Sequence, residues 1–279
     1  MLQKHLLAQG LLAFVTPLVT GLAITTSPAI AATLASSEAR VNLDNFSHTP
    51  TDILTLTDTR TNTIATNGEV TADAKAEAYF TANPFGTTEA NNYSWSQTEG
   101  DGRRYVGLAE SFAAIIGYDF IVNAGDTFDF DFMGFLDLET SMDNLPGEYA
   151  MAEGMVSWEL YDSTNPANWV LLDSFLLSGI LDTLGESDTL DYQKTNSFTL
   201  NPSETSLETD FVGQEELAKA VINGSYSKTF DSLTKLILVE AKTNQAQVQA
   251  VPESSSLLGL LVLALLCLGY RFKLKGRVE

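Results

Sequence analysis

FDFDFMGFLDLET, residues Phe128 to Thr140, decides the fold class. Phe128, Phe130, Phe132, Leu136 and Leu138 fall on one side of an extended chain, and Asp129, Asp131, Asp137 and Glu139 on the other. Successive side chains of a strand point to opposite faces, so this period-two pattern predicts a half-buried strand and not a helix. VTADAKAEAYF, Val70 to Phe80, repeats the pattern with smaller residues. Val70, Ala72, Ala74, Ala76, Ala78 and Phe80 share one face, opposite Thr71, Asp73, Lys75, Glu77 and Tyr79. Ala and Glu favour helices, but strict alternation over the whole stretch outweighs that weak preference. A row of alanines predicts close packing against something bulky.

Outward from these two stretches the same logic continues. MVSWELYD, from Met155, places Val156, Trp158 and Leu160 on one face. NWVLLDSFLL from Asn168 and KLILVEA from Lys235 are apolar runs of strand length, and Arg103 to Val122 is long enough for one or two strands more. QEELAKAV, residues 214–221, has a composition that suits a short helix although Ala218, Ala220 and Ile222 alternate. Turn signals separate the runs, among them Asn67-Gly68, Glu99-Gly100-Asp101-Gly102, Gly125-Asp126, Asn165-Pro166, Asn201-Pro202 and Asn223-Gly224. Many short strands with regular turns predict one all-β domain, an antiparallel β-sandwich or jelly-roll-like fold, over residues 51–248. Residues 32–50, rich in Ser, Asn and Thr, read as a loose N-terminal arm, and residues 249–256 as a linker.

The chain has 279 residues, with 36 acidic and 15 basic side chains. Residues 32–250 hold 34 of the acids and 10 of the bases, a net charge of −24. A body this acidic repels nucleic acid phosphates and anionic headgroups, so no nucleic-acid partner is expected. The single Cys267 lies near the C-terminus, so the body holds no disulfide and depends on its core.

Both ends read as processing signals. Lys4 precedes the apolar stretch Leu11 to Ile24, and Ala29 and Ala31 form a small-residue cleavage pattern that would make Ala32 the first mature residue. That order describes a secretory signal peptide, residues 1–31, cut by signal peptidase; a retained N-terminal membrane helix is the alternative. At the other end, Val251-Pro252-Glu253 and three serines precede LLGLLVLALLCLGY, residues 257–270. As a helix those 14 residues span about 21 Å, and 254–272 about 28 Å, against a hydrocarbon core of about 30 Å. Arg271, Lys273, Lys275 and Arg277 follow and would hold the C-terminus on the cytoplasmic side. Residues 257–279 therefore read as a transmembrane helix with a basic tail, either a permanent anchor or a temporary one.

The Pro-Glu motif, short apolar helix and basic end resemble the sorting tail of the PEP-CTERM family of exported bacterial proteins. The Ser/Thr/Asn-rich acidic body, with the strand end Tyr161 to Pro166, resembles cyanobacterial members of that family. In this chain Pro252 and Glu253 stand in the motif, and Ser254 takes the place of the second proline. The resemblance implies an exosortase-type enzyme that cuts near Val251, Pro252 and Glu253, and release to the cell surface, the extracellular matrix or exopolysaccharide.

The body offers little for catalysis. His48 is its only histidine, so a Ser-His-Asp triad would have to be built on it, and cysteine or multi-histidine metal sites are excluded there. No enzymatic activity is expected. Carboxylates are plentiful enough for a two-carboxylate glycoside hydrolase, with Trp95, Trp158 and Trp169 as a sugar platform, but the alternation around Trp158 equally makes it core. Calcium is the one cofactor the sequence suggests, with Asp126, Asp129 and Asp131 as candidate oxygen ligands, yet alternation alone accounts for these aspartates and no EF-hand loop follows them. The expected function is that of an exported surface or matrix protein, with a carbohydrate-binding or adhesion module as the alternative.

Overall fold

The computed structural model describes residues 32–82, 88–143, 147–183, 185 and 187–250. All eleven of their regular elements are strands: β1 (Ala32–Asp44), β2 (Asp52–Thr81), β3 (Glu89–Val122), β4 (Thr127–Met142), β5 (Glu148–Asp162), β6 (Val170–Asp182), β7 (Thr189–Lys194), β8 (Phe198–Leu200), β9 (Ser206–Asp210), β10 (Glu215–Thr229) and β11 (Thr234–Ala250). Every pairing is antiparallel, and the strands form one sheet in the order β7-β6-β5-β11-β3-β1-β4-β10-β8, with β2 beside β3 and β9 beside β10. The expected antiparallel all-β domain is therefore present, as a single nearly closed, barrel-like sheet.

The closure follows from β2 and β3, strands of 30 and 34 residues. The first half of β3 pairs with β1 and the second half with β11, while β2 follows β3 along its other side throughout. The ribbon folds over between these halves. Across the interior, Ser96 Oγ of one half of β3 donates to Ser111 Oγ of the other at 3.0 Å. The fold sits at a double register shift at Ala65–Gly68, opposite Gly102–Arg104. Gly68 and Gly102 have φ of +148° and +110°, and a Cβ on Gly102 would lie 2.5 Å from Gly68 Cα. Two backbones this close exclude side chains. Asn67-Gly68 and Glu99 to Gly102, which read as turns in the sequence, are thus strand interior. Asn223-Gly224 is likewise inside β10: a Cβ on Gly224 would lie 2.2 Å from Thr199 O, so glycine admits β8 alongside.

Two halves of the sheet consequently face each other, β3–β1–β4–β10 against β3–β11–β5–β6. Their shared interior is divided. Toward one end it is aromatic, with Phe120, Phe128, Phe130, Phe132, Trp158, Phe175, Phe198 and Tyr226 in a chain of ring contacts with centroids 4.6–6.4 Å apart. Toward the fold-over it is made of small and polar residues, including Ala35, Ser37, Ser94, Ser96, Thr98 and Ala246, all buried.

Residues 32–44 are not a loose arm but the central strand β1, paired to β3 from Ala32 onward and to β4 from Thr33. Its inward positions, Thr33, Ala35, Ser37 and Ala39, are small because the facing half lies close, so its alternation has little hydrophobic contrast. QEELAKAV, left open between short helix and strand by its composition and alternation, is strand from Glu215 onward: Ala218, Ala220 and Ile222 are fully buried in β10. The domain also extends past residue 248, since Ala250 still pairs with Tyr105 and Glu148. The alanine row of β2 alternates as expected, though its members remain only half buried because β2 lies on the rim of the sheet.

Candidate functional site

The outer face of β1, β4 and β10 carries a cleft of about 470 Å³. Register builds it. Asp44 of β1 stands opposite Asp131 of β4, Asp131 opposite Ser225 of β10, and Ser225 opposite Thr199 of β8, so one row of polar side chains crosses four strands. The next row on that face holds Asn42, Met133 and Asn223. The turn after β8 supplies Asn201 and Glu204, with Asn201 N–H bonded to Asn223 O at 2.8 Å and Asn223 Nδ2 to Glu204 O at 2.7 Å. Phe132, Leu200 and Gly224 complete the lining.

No lining residue is cationic, and three, Asp44, Asp131 and Glu204, are acidic. Asn45 donates to Asp131 Oδ2 at 2.8 Å and Asn42 to Asp44 Oδ2 at 3.3 Å. Carboxylates and amides together present both acceptors and donors to a polar ligand.

A second feature continues the same face. One step along the strands from Asn42 and Met133, Arg40 lies opposite both Tyr93 and Phe135. Arg40 sits 5.7 Å from the Tyr93 ring centre and 5.5 Å from that of Phe135, Lys75 lies 5.4 Å from Tyr93, and Lys219 5.3 Å from Phe135. Cation and ring therefore alternate across β2, β3, β1, β4 and β10. Each cation also meets a carboxylate, Glu77 for Lys75, Glu38 for Arg40 and Asp137 for Lys219, so the stripe is electrically balanced. In sequence these residues are scattered over 180 positions, from Arg40 to Lys219, and only strand register gathers them.

The residues singled out from the sequence are dispersed. Asp131 lies in the cleft, but Asp129 and Asp126 do not line it. The backbone of Asp129 is bonded to Ser47, and the Asp126 carboxylate accepts from Asn123 Nδ2 at 3.0 Å. Among the described residues, no group of three or more His, Cys, Asp or Glu is placed to hold a metal ion. Ser47 Oγ is 2.9 Å from His48 Nδ1, yet it also lies against the backbone of Thr127 and Asp129, so it is a strand-to-loop tie. The three tryptophans form no platform: Trp158 is fully buried, Trp169 packs with Ile116, Tyr118 and Ile237, and Trp95 lies on β3 opposite Glu38 and Lys75. Ala32 opens β1, whereas Ala29, Ala31, Val251, Pro252 and Glu253 lie outside the described residues. Among those described, no helix is long and apolar enough to cross a membrane.

No protein-family model matches the chain, and no curated protein or solved structure proves significantly similar to it.

Proposed function

We propose that this is an exported cell-surface or matrix protein that binds polysaccharide and performs no catalysis, delivered through its signal peptide and a PEP-CTERM-like tail. One observation carries the binding role: the polar cleft and the cation–aromatic stripe adjoin on one outer face of a rigid sheet. Asn42, Asp44, Asp131 and Asn223 would accept from and donate to sugar hydroxyls, while Tyr93 and Phe135 offer apolar ring faces to the C–H side of a sugar.

The test has two arms. The extracellular protein, sequenced by mass spectrometry, is expected to begin at Ala32 and to lack the apolar segment 257–270; an intact C-terminus retained in the membrane would refute the sorting role. The double variant Tyr93→Ala/Phe135→Ala is expected to lose about tenfold or more in affinity for the host's own exopolysaccharide, since each ring contributes about 0.5–1.5 kcal/mol and 1.4 kcal/mol is a factor of ten. Equal retention of variant and parent on that polysaccharide would refute the binding role. Repeating the assay with a chelator decides whether calcium takes part.

A further inference from the structure

The interior holds three polar groups that the binding face does not use. Glu240 and Lys242 of β11 are both fully buried, and Asn92 of β3, from the facing half of the sheet, is 4 % exposed. Lys242 Nζ donates to Glu240 Oε1 at 3.1 Å, and Asn92 Nδ2 donates to Glu240 Oε2. One carboxyl group thus bridges an amine and a side-chain amide. The surroundings are dry: Trp158 and Ile115 flank Glu240, and Val156 and Ala113 flank Lys242. Asn92 Oδ1 is buried with no hydrogen-bond partner.

As a plain ion pair this arrangement has little to recommend it. Desolvating two charges costs several kcal/mol each, and apolar residues of similar volume commonly serve as well. As a reaction centre every part has a use. We propose that Lys242 and Asn92 form an intramolecular isopeptide bond, with Glu240 as the general acid and base. Burial pushes the Lys242 amine down to about 8 and the Glu240 carboxyl up, so each group moves toward its neutral form. A half-turn of the Asn92 amide exchanges its isosteric ends and brings Oδ1, now unpartnered, onto the Glu240 proton. The Lys242 Nζ lone pair then attacks Asn92 Cγ while Glu240 hydrogen-bonds the developing oxyanion. Glu240 moves a proton from Nζ to Nδ2, the Cγ–Nδ2 bond breaks, and ammonia leaves. An amine and a primary amide become a secondary amide and ammonia, with no oxidant, metal or cofactor required. The bond would join β3 of one half of the sheet to β11 of the other, a covalent staple suited to a cysteine-free exported domain.

Intact mass of the purified full-length chain, with its termini mapped, reads the bond directly. The loss of ammonia lowers the mass by about 17 Da, and proteolysis yields one branched peptide containing both Asn92 and Lys242. Glu240→Gln preserves shape and removes the titrating group, so that chain is expected at its full sequence mass. A parent chain at full sequence mass, with separate Asn92 and Lys242 peptides, overturns the proposal. A parent and a Glu240→Gln chain that are both lighter overturn the role given to Glu240.

A different observation carries a second inference. The outer edge of β2 pairs with no strand among the described residues, although it is about 100 Å of strand. Its charges, paired within the chain as Arg60 with Asp58 and Lys75 with Glu77, would gain cross-strand partners from an antiparallel copy of β2. The register that sets Arg60 opposite Asp73 of a second copy also sets Asp58 opposite Lys75. Moving it by two residues either way puts Asp58 opposite Asp73, or Arg60 opposite Lys75 and Asp58 opposite Glu77, in each case like charges. Because the register shift near Asn67 exchanges the two faces, the same alignment sets the inward row Thr55, Thr57, Thr59 and Thr61 beside the inward row Ala78, Ala76, Ala74 and Ala72. A two-fold axis through the fold-over relates the arms, as a self-complementary interface requires. We infer that the protein dimerises through β2.

Cysteine crosslinking tests the register in full-length chains whose Cys267 is replaced by serine. Asn62→Cys mixed with Thr71→Cys is expected to give a disulfide-linked dimer, and either variant alone is not. Arg60→Asp should abolish the crosslink and Arg60→Asp/Asp73→Arg restore it. A mixed pair that stays monomeric, or an Arg60→Asp chain that crosslinks as well as its parent, refutes the β2 dimer.

Discussion

Trp158→Ala is expected to lower the unfolding free energy by about 3–5 kcal/mol, the range for removing a large aromatic side chain from a core. For a domain of this size that moves the midpoint of thermal unfolding by about 10 °C, readable by circular dichroism. Trp158 is fully buried and joins the two halves of the sheet. Its ring centre is 4.9 Å from Phe132 of β4 and 4.6 Å from Phe175 of β6, and its edge fills the space over Gly134, where a Cβ would come within 2.9 Å of the indole. Neither neighbouring ring has a slack direction in which to collapse, because both also pack on Phe198. Trp158→Phe retains a ring in contact with both partners and is expected to cost less than half as much. A Trp158→Ala midpoint within 2 or 3 °C of the parent (about 1 kcal/mol) would show that the halves are held by something other than this aromatic centre.

The second large effect is at the seam where the sheet nearly closes. Asp173 of β6 is 5 % exposed and receives Ser197 Oγ at 3.0 Å, Tyr226 O–H at 3.0 Å and Lys228 Nζ at 2.7 Å. Ser197 lies in the turn between β7 and β8, and Tyr226 and Lys228 on β10, so one carboxylate ties the two ends of the strand order together. Burial alone would raise this carboxyl's pKa, but hydrogen bonds from Lys228, Thr195, Tyr226 and Ser197 together outweigh it and hold the group below the usual carboxylate range. Asp173→Ala leaves the buried Tyr226 hydroxyl and the Lys228 ammonium without this partner. A fully buried pair would cost about 3–5 kcal/mol, and because a third of Lys228 meets solvent, about 2–3 kcal/mol is expected.

The pH dependence separates charge from shape. A carboxyl whose folded pKa is depressed adds stability that is present above its unfolded value, about 3.9, and is lost as pH falls through the lower folded value. Asp173→Asn keeps the side chain's outline without the charge. The gap in stability between parent and Asp173→Asn is therefore expected to be full near neutrality and to narrow below about pH 4. A gap that stays constant down to acid unfolding would assign the seam to packing, not to the ionised carboxylate.

Much of the architecture was legible in the residues. Phe128 to Thr140 alternates because β4 has an aromatic interior on one side and water on the other, and Val70 to Phe80 alternates for the same geometric reason with smaller side chains. β1 escaped notice because its inward Thr33, Ala35 and Ser37 differ little in hydrophobicity from its outward residues. The glycines at 68, 102 and 224 misled in a different way. A glycine signals either a turn or a close approach of two backbones, and the choice depends on a partner strand far away in sequence.

The outer face proposed to bind polysaccharide lay beyond any local pattern. Lys75, Tyr93, Arg40, Phe135 and Lys219 come from five strands, and their alternation arises only when register sets them side by side. Likewise Glu240 and Lys242 invite reading as one solvated strand face, since charged residues two apart usually are. Only the tertiary structure turns that face inward and carries Asn92 to it from 148 residues away.

By itself the sequence determined the all-β class, the absence of cysteine from residues 32–250 and their strong negative charge. Those properties reside in composition, period and order along the chain, which need no partner to be read. Tertiary structure alone decided which strand lies beside which, which polar groups are buried and which residues share the outer face, because each depends on pairings between residues tens to hundreds of positions apart.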